Sequence, residues 1–167
     1  YSTSFFPKLK FLFRLCYTSF MYIKIEAAKA TDWELIQKLN NQVFINDKER
    51  DDDLNLNWPF SKVGIKYYTD LTSGKYGKCF IAYVGSDPAG YVALAPKDFG
   101  YRKSKYIEIE NIGVDPKYRS QGIGKLLIEK AVEWAKEKGA TKLWVSAYWK
   151  NTRALDFYRK NGFYETG

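Results

Sequence analysis

Residues 106–138 carry the feature that most restricts this chain: an alternating apolar segment, a turn reading Arg119-Ser120-Gln121-Gly122-Ile123-Gly124, and a long amphipathic stretch. Ile107 and Ile109 alternate with Glu108 and Glu110, the period of a half-buried strand. Ile123, Leu126, Leu127, Ala131 and Trp134 return with helical period, and Gly139 is placed to end the helix near Lys138. A strand feeding directly into a helix through glycines implies an α/β domain. It also makes an anion site. Amides at a helix start lack intrahelical partners, the helix dipole is positive there, and glycine lets a ligand approach the main chain. Two familiar nucleotide loops fail to match. Lys125 is followed by Leu126 and lacks the earlier glycine of a Walker loop, and Leu127 stands where a dinucleotide fingerprint needs its third glycine.

The rest of the chain alternates strand and helix from Met21 onward, as one domain over 21–167. A strand is predicted over 22–26. Thr31-Asp32-Trp33-Glu34 has the form of a capping box opening a helix with Leu35, Ile36, Leu39 and Val43 inward, ending near Phe44. A polar loop over 46–57 precedes a second helix opened by Pro59 and reaching about Thr72, with Gly64 weakening that reading. Strands over 78–84 and 90–95 form a hairpin around Gly85, Ser86, Asp87 and Pro88, followed by a mobile-looking segment over 96–105. Further elements are a strand over 106–114, another over 142–148, a helix over 152–160 closed by Asn161-Gly162, and a last strand starting at Phe163. Residues 1–20 read as an extension outside the fold.

Composition narrows the chemistry. The chain has no histidine, and its two cysteines, Cys16 and Cys79, form no CxxC pair, so histidine-based nucleophilic triads and histidine-ligated metals are excluded within it. Carboxylates, tyrosines and backbone groups remain for proton transfer, and no metal is expected. The net charge is +8, but Lys8, Lys10 and Arg14 supply three of those charges, leaving a modest excess that attracts anionic ligands without forming a nucleic-acid-binding face. No apolar run is long enough to span a bilayer, so the expectation is a soluble, cytoplasmic protein with neither nucleic acid nor membrane as partner.

The R-x-x-G-x-G turn, within the stretch Ile107-Glu-Ile-Glu-Asn-Ile-Gly-Val-Asp-Pro-Lys-Tyr-Arg-Ser-Gln-Gly-Ile-Gly-Lys-Leu-Leu, resembles the cofactor-binding core of the GNAT N-acetyltransferases. Asn151-Thr-Arg-Ala-Leu-Asp-Phe-Tyr-Arg-Lys-Asn-Gly-Phe resembles that family's closing helix. The resemblance implies a mixed, mostly antiparallel central sheet flanked by helices, with acetyl-CoA as co-substrate and an amine as acceptor. The turn Arg119, Ser120, Gln121, Gly122, Ile123, Gly124 and Lys125 would hold the pyrophosphate of coenzyme A. Main-chain groups near Ile112 and Val114 would hold the thioester arm, and Asn151 the pantetheine. Tyr158, seven residues after Asn151, would be the general acid.

An alkylammonium of pKa about 10.4 is neutral in only about one molecule in 2,500 at pH 7, so a base is needed. Two glutamates in a central strand are unusual, and Glu108, then Glu110, are the candidates; the family's bulge in this strand would decide which residues share a face. By the same resemblance the loop carrying Asp47, Glu49, Asp51, Asp52 and Asp53 would draw a cationic amine, with Trp58, Tyr67 and Tyr68 as an aromatic wall or core. A small-molecule or antibiotic-like amine is the first reading. A protein N-terminus, a lysine side chain and a non-enzymatic acetyl-CoA-binding module are the alternatives. The family usually continues one strand beyond Gly167, and a homodimer is one way to complete such a sheet edge.

Overall fold

The computed structural model describes residues 22–166, so the extension expected over 1–20 lies outside the described residues. The elements are β1 (Ile23–Ala27), α1 (Trp33–Asp47), α2 (Lys62–Thr72), β2 (Lys78–Val84), β3 (Asp87–Lys97), β4 (Tyr106–Val114), α3 (Ile123–Glu137), β5 (Lys142–Val145) and α4 (Thr152–Lys160). They form one sheet in the order β1-β2-β3-β4-β5, antiparallel except for the parallel pair β4–β5. The expected mixed, mostly antiparallel sheet with helices on its faces is therefore present.

Each face of the sheet has its own core. Phe80, Ala82, Val92, Leu94, Ile107 and Ile109 meet Ile123, Leu127, Ile128 and Ala131 of α3, while Cys79, Ile81, Tyr91 and Ala93 meet Ile36 and Leu39 of α1 and Tyr68 and Leu71 of α2. The strands alternate between the two, which is why β2 and β3 read as nearly continuous apolar runs. The second core contains one buried polar hub. Asn40, 1% exposed, accepts from the Tyr68 hydroxyl at 2.5 Å and donates through Nδ2 to the Tyr91 hydroxyl at 2.6 Å and to Asn111 Oδ1 at 3.0 Å. These bonds tie α1, α2, β3 and β4 together at one point.

Several boundaries differ from the sequence reading. The Thr31 capping box does not form. Ala30–Asp32 is a 3-10 turn, and the Asp32 carboxylate accepts instead from the Lys29 N–H at 2.7 Å. Helix α1 runs three residues past Phe44, to Asp47. Pro59 sits in a separate 3-10 turn, Trp58–Phe60, and Ser61 caps α2 by accepting from Gly64 N–H. Glycine is required there, because a Cβ on residue 64 would lie 2.2 Å from the Trp58 carbonyl oxygen. The hairpin turn is only Gly85-Ser86, since Val84 already pairs with Asp87, and β3 continues through Lys97 into the segment expected to be mobile. The strand predicted over 142–148 stops at Val145, and residues 163–166 carry no strand.

Asn40→Leu is expected to leave the Tyr68 and Tyr91 hydroxyls buried without a partner and to cost about 2 kcal/mol or more in urea unfolding. Adding Tyr68→Phe should return part of that loss.

Candidate active site

Strands β4 and β5 pair from Tyr106↔Lys142 to Ile109↔Val145 and then part. The upper half of β4, Glu110 to Val114, and the segment Val145 to Tyr148 form the walls of a cleft of about 1370 Å³, which α1, α3 and α4 complete. Beyond Ile109 the β5-facing edge of β4 has no strand partner among the described residues, so its main-chain groups open on the cleft. Ile112 and Val114 lie on this stretch, as expected. The Val114 carbonyl is already engaged, accepting from Arg119 Nε at 3.2 Å.

The turn before α3 closes one end of the cleft. Asp115 accepts from Lys117 N–H at 2.9 Å, and the Tyr118 hydroxyl donates to Asp87 at 2.8 Å, fastening the turn to the β2–β3 hairpin. Ser120 (φ 61°) and Gly122 (φ 83°) are both left-handed. The first helical return bond of α3 runs from Leu126 N–H to the Gly122 carbonyl at 3.2 Å, so the amides of Ile123, Gly124 and Lys125 lie in the turn whose N–H groups an α-helix leaves without internal partners. Arg119, Ser120, Gly122, Ile123, Gly124 and Lys125 line the cleft. Gln121 does not, its Nε2 reaching back to the Lys117 carbonyl at 3.4 Å. The two glycines have different reasons. Gly122 has open space around it and is needed for its positive φ, whereas a Cβ on Gly124 would lie 2.9 Å from the Phe157 ring. This pair of left-handed residues ahead of a helix start forms a concave, amide-lined cradle that suits a phosphate.

The two glutamates differ in surroundings. Glu108 is ion-paired with Lys97 at 2.9 Å, Lys97 Nζ lies 4.9 Å from the Trp144 ring, and Glu108 is absent from the cleft wall. Glu110 is on that wall and accepts from the Tyr67 hydroxyl at 3.0 Å. Burial raises its carboxyl above the ordinary value. The Tyr67 hydrogen bond opposes this, Glu108 adds to it, and Lys97 subtracts from it. A β-bulge explains the placement: Ala93 pairs with Asn111 and Leu94 with Ile109, leaving Glu110 unopposed. The alternation changes phase there, so Ile107 and Ile109 below it and Ile112 and Val114 above it all pack toward α3.

Tyr158 lies across the cleft. Its ring packs against Phe157 and Phe163, and its hydroxyl is pushed up to about 12 by burial and by Asp47. Among the described residues no side-chain polar atom is sealed from solvent without a partner, and the Tyr158 hydroxyl bonds to none of them, so it opens on the cleft. Asn151 also lines the cleft, but its Oδ1 caps α4 by accepting from Ala154 N–H at 3.1 Å, leaving only Nδ2 to donate.

Sequence reasoning passed over Tyr67 as a partner for the base and Asn111 as part of the wall. It grouped Asp47 with a loop, whereas Asp47 ends α1 inside the cleft, with its carboxyl raised by burial and drawn down by Arg50 at 3.4 Å. The other acids of that run behave differently. Asp51 accepts from the Tyr148 hydroxyl at 2.7 Å, bridging the α1–α2 loop to the segment after β5, and Glu49, Asp52 and Asp53 do not line the cleft. Tyr68 belongs to the core. Among the described residues no three histidine, cysteine, aspartate or glutamate side chains cluster to hold a metal, and no helix is long and apolar enough to cross a membrane.

A model of the Acetyltransferase (GNAT) family matches residues 33–163. An uncharacterized N-acetyltransferase of Methanocaldococcus jannaschii is 39% identical over 89 residues, which cover 52% of this chain and 38% of that protein. A streptothricin acetyltransferase of Streptomyces lavendulae is 36% identical over 88 residues, covering 52% of this chain and 44% of that protein. The matched segment thus spans less than half the length of either relative. The structure of aminoglycoside N-acetyltransferase AAC(6')-Iy in complex with CoA has the same fold, with a TM-score of 0.70 at 21% identity over 87% of this chain and 90% of that one.

Because Gly124 exists to admit Phe157, Gly124→Ala is expected to destabilise the protein by about 1–3 kcal/mol, the usual cost of overpacking. Combining it with Phe157→Leu should recover part of the loss, so the two changes will be less than additive in thermal unfolding. Gly122→Asn, which keeps access to positive φ, should unfold close to the parent.

Proposed function

This chain belongs to the GNAT acetyltransferase family, and from that premise we propose that it transfers an acetyl group from acetyl-CoA to a primary amine, with Glu110 as base and Tyr158 as acid. The observation that carries this reading is the cleft itself: an amide cradle at one end, a strand edge unpaired among the described residues along one side, and a half-buried carboxylate and a tyrosine hydroxyl both on its wall. The residues fit coenzyme A. Amides of Ser120 to Lys125 and the start of α3 would receive its pyrophosphate, and the open edge of β4 at Ile112 together with Asn151 Nδ2 would receive the arm that ends in the thioester. The CoA-bound aminoglycoside acetyltransferase and the streptothricin enzyme support an amine acceptor.

The chemistry needs three proton movements. Glu110 takes a proton from the incoming ammonium and so frees its lone pair, a step worth roughly 4.6 kcal/mol at pH 7 for an amine of ordinary basicity. The carbon–nitrogen bond forms and the carbon–sulfur bond breaks. The Tyr158 hydroxyl supplies a proton to the departing sulfur, and the proton shed by the acylated nitrogen restores it. Burial keeps Tyr158 protonated through the neutral range, so it is always ready as a donor. A thiol of pKa about 8.5 is already a fair leaving group, so Tyr158 matters less than the base. Glu108 is committed to Lys97 and is given no such role, although the family resemblance ranks it first.

Glu110→Gln is expected to lower kcat/KM about a hundredfold or more in a thiol-release assay, Tyr158→Phe less, and Glu108→Gln only a few-fold. The base must be deprotonated, so activity falls as pH falls through the Glu110 value, which burial places above that of an ordinary glutamate. The acid limb of kcat/KM should accordingly lie high and vanish in Glu110→Gln. An unchanged limb would move the base elsewhere, and no thiol release with any amine would favour a binding module.

A further inference from the structure

Adjoining the cleft at Phe44, Glu110 and Asn111 is a second hollow of about 330 Å³, also lined by Trp58, Tyr67 and Glu108. This volume is at the small end of the range of about 300–1,000 Å³ typical of ligand sites. Three of its walls are aromatic rings. Phe44 and Trp58 stack at 5.8 Å with their planes 2° apart, and Trp58 meets Tyr67 at 5.6 Å. The Tyr67 hydroxyl points at Glu110, which it holds at 3.0 Å. An apolar chain ending in a cation suits such a box, because ring faces attract alkylammonium groups and methylenes pack on them.

The charges in and around the hollow limit how many cations it can accept. Glu108 is taken by Lys97 at 2.9 Å, while among the described residues no lysine or arginine pairs with Glu110. Of the other acids lining the main cleft, Asp47 is paired with Arg50 at 3.4 Å and Asp156 with Arg159 at 2.9 Å. Among the acids lining the hollow and the cleft, Glu110 is therefore the one without a cationic partner among the described residues. A second ammonium entering the hollow would face the Lys97 cation with Glu108 already committed to it. We infer that the acceptor is a slender primary alkylamine with a single ammonium group, seated against Phe44, Trp58 and Tyr67 with its nitrogen at Glu110, and that polycationic amines are disfavoured. This rests on the acetyltransferase reading above and specifies the substrate class of the same site.

The test is thiol release from acetyl-CoA by the full chain, comparing n-butylamine, 1,4-diaminobutane, an aminoglycoside and a short peptide with one internal lysine and a blocked N-terminus. Butylamine should exceed the diamine in kcat/KM by about fivefold, the scale of one exposed charge interaction. Lys97→Met frees Glu108 while keeping an aliphatic stem, and should shift the diamine-to-butylamine ratio toward the diamine by a similar factor; a ratio cancels any change in the strength of the base. Trp58→Leu should raise KM for butylamine about tenfold through lost ring contact. Its acetyl-CoA-induced melting shift should match the parent's, which excludes misfolding. A lysine peptide turned over as well as butylamine supports the same recognition and places the alkyl chain on a protein. Preference for the diamine or the aminoglycoside in the parent, or an unmoved ratio in Lys97→Met, overturns the inference and leaves the acetyltransferase reading standing. Absence of thiol release with every amine tested removes both.

Discussion

The cleft depends on the loss of pairing between β4 and β5 after Ile109↔Val145. A parallel ladder continued to Val114 would satisfy the main-chain groups of β4 and fill the space between the strands. Because it stops, a strand in the middle of the sheet has an open edge over half its length, and hydrogen-bonding groups that would be costly to bury dry are left for a ligand. The bulge at Glu110 occurs at the same level. It keeps the apolar residues of β4 on the α3 side both below and above the break, and it turns one glutamate into the gap. Parting and bulge together convert a packing element into a site.

The walls are then stiffened from behind. Asn40 joins both flanking helices to β3 and to Asn111 of β4 through hydrogen bonds within a dry core, where a fully satisfied polar cluster specifies one arrangement. Tyr118 fixes the turn before α3 to the hairpin, and Gly124 allows α3 and α4 to touch at Phe157. These contacts hold the turn before α3, Glu110 and Tyr158 at set positions relative to one another. Transition-state stabilisation by fixed dipoles and donors requires that kind of pre-organisation.

Much of this was legible in the residues, and the exceptions share a cause. Strands β2 and β4 and helix α4 were predicted with their observed limits, because alternation, glycine turns and an asparagine cap are local signals. The glycine-containing turn into α3 was equally plain. The end of β5 was not, since residues 146–148 are apolar enough for a strand and stop being one only because β4 turns its edge away. Choosing between Glu108 and Glu110 depended on a bulge and on Lys97 arriving from the neighbouring strand. Thr31 offered a valid capping box, yet it lies inside the 3-10 turn Ala30–Asp32, whose N-cap is Lys29, and so does not stand at the start of α1. Tyr67 and Asp47 gave no distinctive local pattern, and their importance comes from elements brought together in space.

The central claim is that the turn from Arg119 to Lys125 binds acetyl-CoA, and thermal melting with and without saturating acetyl-CoA tests it most directly. Ligand at about one hundred times its dissociation constant stabilises by roughly 2.7 kcal/mol, on the order of 5 to 10 °C for a domain of this size. An Arg119→Glu, Gly122→Asp variant puts negative charge into the cradle, and its own melting point without ligand reports whether it folds. A shift of that size in the parent, absent from a folded variant, is the predicted result. No shift in the parent, or an equal shift in both, would contradict the assignment of the cofactor to this turn.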